Sequence, residues 1–147
     1  MFRVFPLLLV GVSSLAWAQG APRLNRLATI GCADCGGPAQ FAEVADVALA
    51  PNGTVWVADR DDPRIRVFTR RGEFLRAFGR RGQGPGEYTG IEKLFPAADG
   101  TVAVVDMRQF RLTRVDSLGT PLSIVPLLQF PFDAAAAPGS RSIHLLF

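Results

Sequence analysis

The 147-residue sequence has one histidine, two cysteines, one tyrosine and two methionines, and its only lysine is Lys93. One imidazole and two thiols cannot complete a four-ligand structural zinc site. His144, alone near the end of the sequence, stands in no visible nucleophile–base pair. Helical periodicity is missing throughout, which argues against helical repeats. No apolar run reaches the roughly 20 residues that a membrane-spanning helix needs. Charge is also modest, at 20% charged residues and a net +3 against 48% hydrophobic residues. A chain so apolar and so weakly charged is built to bury a core and is not a disordered one.

What is present begins with a leader. Arg3 precedes an uncharged apolar run from Val4, and Ala16-Trp17-Ala18 supplies the small residues of a cleavage site. Residues 1–18 therefore read as a secretory signal peptide, cleaved before Gln19, with no transmembrane anchor left afterwards. The mature chain is expected to be exported, to the periplasm or beyond.

A repeat organises most of the rest. Val44 to Asp59 aligns without gaps on Ile91 to Asp106 at an offset of 47, pairing Gly53 with Gly100, Thr54 with Thr101, Val57 with Val104 and Asp59 with Asp106. The same offset carries Ile65 onto Leu112, Gly72 onto Gly119 and Leu75 onto Leu122, and the Gly37-Pro38 linker onto Gly84-Pro85. Arg26 to Gly31 matches Phe74 to Gly79 with one residue of slip. Each unit reads as short β-rich runs separated by turns: Val44–Leu49, Thr54–Ala58, Arg64–Thr69 and Glu73–Phe78, with Asn52-Gly53 as a hairpin signal. Four short antiparallel strands per 47 residues describe a β-propeller blade, so the fold class is all-β. The divisions expected are 24–41 as outer strand and linker of a closing blade, 42–88 as blade 1, 89–132 as blade 2 and 133–147 as the start of a third.

The stretch from Ala45 to Tyr88 resembles an NHL repeat. It carries Asn52-Gly53, Val57-Ala58-Asp59, Arg64-Ile65-Arg66-Val67-Phe68, Gly72-Glu73-Phe74-Leu75 and a glycine-rich close from Phe78-Gly79 to Tyr88. The second copy lacks the Phe after Arg111-Leu112-Thr113-Arg114-Val115 and the glycine-rich ending. The resemblance implies a six-bladed propeller of exported bacterial type. Its members include binding scaffolds, sensors and a few enzymes, so it does not fix an activity. Two blades, a leading strand and an opened third fall short of the four to eight that close a ring. The sequence is thus expected to be the N-terminal part of a longer propeller, with self-association of several copies as the alternative.

The candidate functional residues follow from position in the repeat. Glu43, Asp46, Glu92 and Lys93 fall on the first strand of each unit, which lines the channel of a propeller. The resemblance to propeller lactonases and lyases makes Asp46 and Glu92 candidate ligands for a divalent cation. No catalytic residue and no other cofactor is expected, and a ligand- or protein-binding scaffold is the preferred function over a metal-assisted hydrolase or lyase. Arg64, Arg66, Arg70, Arg71, Arg80 and Arg81 form a candidate anion patch. Nucleic acid is not expected as its partner, because export conflicts with it. Asn52, Gly53, Asp59 and Asp106 are read as structural turn residues, because a carboxylate that recurs from blade to blade serves backbone N–H groups. The glycines from Gly79 to Gly86 read as positive-φ positions of a crossing between blades, since no helix follows to make a phosphate loop. Cys32 and Cys35 are candidates for a local disulfide in the linker; free or intermolecularly paired thiols, and metal or redox work, remain the alternatives.

Overall fold

The computed structural model describes residues 26, 28–31 and 36–128, with the backbone of 133–136 and 143–146. Residues 1–18, Cys32 and Cys35 lie outside the described residues. Two four-stranded antiparallel sheets carry the fold. The first holds β1 (Val44–Leu49), β2 (Val55–Asp59), β3 (Ile65–Phe68) and β4 (Phe74–Phe78), paired in chain order. A short crossing follows, in which β5 (Arg80–Arg81) pairs in parallel with β6 (Glu87–Tyr88). The second sheet holds β7 (Ile91–Pro96), β8 (Val102–Asp106), β9 (Arg111–Val115) and β10 (Pro121–Pro126), again in chain order. Beyond it β11 (Asp133–Ala136) and β12 (Ile143–Leu146) pair antiparallel, matching Asp133 with Leu146. No helix among the described residues is long and apolar enough to cross a membrane.

The strands stop where the turns need their side chains. Thr54 and Thr69 flank strands and do not lie in them. Asn52 Oδ1 accepts the Thr54 N–H at 3.0 Å, and Thr69 Oγ1 accepts the N–H groups of Arg71 and Glu73, both at 3.2 Å. In the second sheet Asp99 and Asp116 do the same work, Asp99 accepting from the Thr101 N–H at 3.0 Å and Asp116 from the Leu118 and Thr120 N–H groups at 2.8 Å. Gly53, with φ of 83°, sits where a β-carbon would be strained.

Residues 28–31, expected as part of an outer strand, make no sheet among the described residues. They run past the Gly72 turn, where a β-carbon would lie 3.2 Å from the Thr29 carbonyl oxygen. The slip of one residue has a structural reading. Gly31 packs against the Phe41 ring as Gly79 packs against the Tyr88 ring, each at 3.1 Å from a would-be β-carbon. The extra residue of the first linker therefore falls between Gly31 and Phe41.

The core lies between the sheets. Ala48, Trp56, Ala58, Ile65 and Val67 of the first sheet pack on Ile91, Leu94, Val102, Val104 and Val115 of the second, with Tyr88 closing one end. Trp56 meets Phe78 edge-on at 5.3 Å. A smaller cluster of Ala103, Val105, Leu112 and Leu127 lies on the far side of the second sheet.

Candidate functional site

Asp59 ends β2 with its side chain fully buried. Its Oδ2 accepts the Ala42 N–H at 2.8 Å and the Arg66 guanidinium at 3.1 Å, and its Oδ1 accepts the N–H groups of Glu43 and Asp62, both at 3.1 Å. Burial pushes this carboxyl up, but the three backbone donors and Arg66 outweigh it and hold the group below its ordinary value. Arg66, 6% exposed on β3, reaches Asp62 with its other nitrogen at 2.8 Å, and its guanidinium lies 5.0 Å from the Phe41 ring centre. A pocket of about 300 Å³ opens beside this network, lined by Gly37, Gln40, Phe41, Ala42, Asp62 and Arg66.

The equivalent place in the second blade is assembled from different residues. Asp106 Oδ2 accepts the Thr89 N–H at 2.6 Å and the Gln109 side-chain amide at 2.9 Å, while Oδ1 accepts the N–H groups of Arg108 and Gln109 at 3.0 and 3.1 Å. Gln109 stands at the position of Asp62, and Thr113 at that of Arg66. The Thr113 hydroxyl is buried with no hydrogen-bond partner. Arg111 spreads its guanidinium over the glycine loop, donating to the carbonyl oxygens of Gln83 at 2.8 Å and Gly84 at 3.0 Å, and to that of Glu87. Glu87 folds onto the same loop, where the Gly84 N–H and the Arg80 guanidinium hold its carboxyl below the usual range.

A row of paired charges lies on and beside β1 and β7. Arg60 bridges the blades, donating to Glu43 at 2.6 Å and to Glu92 at 2.9 Å. Asp46 accepts the backbone N–H of Leu94 at 2.9 Å and has Lys93 at 3.7 Å. Asp46 and Glu92 thus lie in one row but answer to different partners. No group of three His, Cys, Asp or Glu among the described residues is placed to share a metal ion. An isolated pair of carboxylates, each already engaged by a donor or a cation, is a weak ligand set for a hard cation that takes six to eight oxygens.

The six arginines of the candidate patch differ in their partners. Arg66 is buried between two carboxylates and presents no charge to solvent, because the Asp59 and Asp62 oxygens take up both terminal nitrogens. Arg64 pairs with Asp62 at 3.2 Å and Arg80 with Glu87 at 2.7 Å. Arg81 donates to the Asp61 carbonyl oxygen at 2.6 Å. Arg70 and Arg71 are exposed beside the Gly72 turn. Sequence alone offered no sign of the pocket, because its wall joins the linker up to Ala42 to Asp62 and Arg66, 20 or more residues later; the one available signal was the exchange of Asp62-x-Arg64-x-Arg66 for Gln109-x-Arg111-x-Thr113 between copies.

A family model described as "6-bladed beta-propeller" (DUF5128) matches residues 41–120. Among solved structures the chain is similar to a "putative exported protein" from Bacteroides fragilis, at 21% identity and a TM-score of 0.56 over 65% of this chain. The match spans 27% of that protein's length. No curated protein matches the sequence.

Proposed function

Because the chain belongs to the 6-bladed beta-propeller family, we propose that it serves as an exported scaffold that binds a protein or small ligand and performs no catalysis. One observation carries this reading. Among the described side chains, the acidic groups on and beside β1 and β7 are each engaged within the molecule: Glu43 and Glu92 by Arg60, Asp46 by the Leu94 N–H and Lys93. A carboxylate already paired with a cation is a weaker general base and a weaker metal ligand, because the neighbouring positive charge stabilises its ionised form and opposes a second cation. Export is supported by the Arg3-led apolar leader with its Ala16-Trp17-Ala18 site and by the similarity to the Bacteroides fragilis putative exported protein.

The test sets this against a metal-assisted hydrolase or lyase using Asp46 and Glu92. Titration of Ca²⁺ and Mn²⁺ into the purified chain is expected to give no saturable heat, and lactone substrates are expected to turn over no faster than in buffer. Turnover that disappears in Asp46→Asn or Glu92→Gln overturns the scaffold reading. Expression with the leader intact is expected to deliver a periplasmic protein whose measured mass begins at Gln19; an uncleaved cytoplasmic product overturns export.

A further inference from the structure

The hairpin turns that join β1 to β2 and β7 to β8 have matching backbones. Gly53 and Gly100 have φ of 83° and 82°, and their N–H groups donate to the Ala50 and Ala97 carbonyl oxygens at 2.8 and 3.1 Å. The Ala50 and Ala97 N–H groups in turn donate to the carbonyl oxygens of Thr54 and Thr101, at 2.9 and 2.8 Å. The side chains follow the same plan. Asn52 Oδ1 accepts the Thr54 N–H at 3.0 Å and the Thr54 hydroxyl at 2.7 Å, and Asp99 Oδ1 accepts the same two groups of Thr101 at the same two distances. A further donor fixes each threonine: Trp56 Nε1–H reaches Thr54 Oγ1 at 2.9 Å, and Arg114 Nε–H reaches Thr101 Oγ1 at 3.0 Å. With Oγ1 accepting there, the hydroxyl proton is left to point at residue 52 or 99. The turns differ in one group. Asn52 carries an amide nitrogen where Asp99 has its second carboxylate oxygen, which pairs with Arg114.

We propose that Asn52 is a deamidation site and that the folded turn steers its product to aspartate, converting the Asn-Gly-Thr turn of blade 1 into the Asp-Gly-Thr turn of blade 2. Asn52 is exposed, so water and solvent base reach it. The Gly53 backbone nitrogen, with no side chain beside it, attacks Asn52 Cγ. The bond from Cγ to the Gly53 nitrogen forms and the bond from Cγ to Nδ2 breaks; the Gly53 amide proton, passed through solvent, ends on the departing ammonia and leaves a cyclic imide. Water then adds to Cγ, the bond to the Gly53 nitrogen breaks, that nitrogen regains its proton, and residue 52 becomes a carboxylate. Both steps build negative charge on Oδ1, where the Thr54 N–H and hydroxyl already converge, as donors do in an oxyanion hole. Opening the imide at its other carbonyl would give isoaspartate and insert a carbon into the main chain, against a turn closed by the Gly53–Ala50 and Ala50–Thr54 hydrogen bonds. The Gly53 N–H must leave the Ala50 carbonyl before attack, so that one bond paces the reaction. The product is well received. In blade 2 the Thr101 hydroxyl and N–H hold the Asp99 carboxyl below its ordinary range, and in blade 1 Arg70 Nε lies 3.6 Å from the place of a Gly53 β-carbon, a cation at hand for the new charge.

The full chain held at mildly alkaline pH, folded and in urea, tests this when its peptides are read by mass spectrometry with fragmentation that separates aspartate from isoaspartate. The folded chain is expected to lose the Asn52 amide and to give mainly aspartate, the denatured chain mainly isoaspartate. Thr54→Val keeps the backbone N–H and removes the hydroxyl, and is expected to slow conversion about three- to tenfold, the worth of one hydrogen bond, while raising the share of isoaspartate. Asn52→Asp, made directly, is expected to unfold at the same urea midpoint as the parent chain, and this arm stands if Thr54→Val fails to fold. Asn52 persisting in the folded chain, the same product ratio folded and denatured, or a lower midpoint in Asn52→Asp overturns the proposal. Faster conversion in Thr54→Val overturns it too, by showing that the bonds to Oδ1 guard the amide. None of these outcomes bears on what the scaffold binds.

Discussion

Asp59 and Asp106 occupy the same point of two successive blades, yet one is served by a buried guanidinium and the other by an amide. Blade 1 concentrates charge there, with Asp59, Asp62, Arg64 and Arg66 locked together, while blade 2 spends its arginine on the linker and leaves the Thr113 hydroxyl without a partner. The blades differ on their faces too. Val47 is 57% exposed and its counterpart Leu94 is 4% exposed, because the inter-blade core covers the second and not the first. A shared backbone scaffold therefore tolerates exchanged side-chain networks, provided that each network changes as a set. The backbone N–H donors of residues 42 and 62 recur at 89 and 109, and the other partners vary.

The largest effect should separate the two aspartates. Asp59→Ala leaves Arg66 buried without its main partner and is expected to cost about 3–5 kcal/mol. Asp106→Ala removes hydrogen bonds but strands no charge, and is expected to cost about 1–3 kcal/mol. Urea unfolding of both variants checks this, and equal losses would erase the distinction between the blades. Next comes the exchange of networks. Arg66→Thr alone leaves two facing carboxylates, and adding Asp62→Gln is expected to restore part of the loss, giving a coupling of about 1–3 kcal/mol in a double-mutant cycle. Strict additivity would show that the residues do not act as a set.

A smaller effect concerns Tyr88, which ends the second linker where the first ends in Phe41. The Tyr88 hydroxyl is buried without a partner, and burial pushes its pKa up from 10.0 to about 12. A raised value favours the protonated form in the folded chain, so its contribution is complete below pH 10 and is lost as pH rises through about 12. Tyr88→Phe is expected to stabilise the chain by about 1 kcal/mol at neutral pH and to flatten the alkaline decline. The acid side should remain: Asp59 lies below its ordinary value, so its contribution holds above about pH 4 and is lost as pH falls through the lowered value. Unfolding midpoints across both ranges test this, and an unchanged alkaline slope in Tyr88→Phe would remove Tyr88 as the cause. The smallest effect is at Phe110, which holds a φ of 47° where blade 1 has Pro63. Phe110→Gly is expected to stabilise by up to about 1 kcal/mol through relief of that strain; a measured loss would mean that the exposed ring contributes packing.

The sheets were legible because their signals are local. Alternation in Val44–Leu49, the Asn52-Gly53 turn and the 47-residue offset are read along the chain, and the strands fall within a residue of those expectations. The charge networks were not. Arg66 looks like one more solvated arginine in a basic stretch, and its burial follows from cross-strand neighbours and from a linker folded back over β3. The parallel pairing of β5 with β6 was equally hidden, since a ladder of two residues has no period to detect. Asp46 lies on β1, the first strand of its unit, but its engagement with the Leu94 N–H 48 residues away belongs to the packing of one sheet on the next.

That last contact bears on how the chain behaves in company. β7 is an edge strand of its sheet, with a row of backbone groups open to any strand that drifts alongside. By accepting the Leu94 N–H, the Asp46 carboxylate occupies one rung of that ladder, and Lys93 next to it places a charge where an incoming strand would have to lie. Edges blunted in this way resist growth into sheets that run from molecule to molecule. The bond between two blades is therefore also a guard on solubility, exercised at the moment when the inner edge would otherwise be free to recruit another chain.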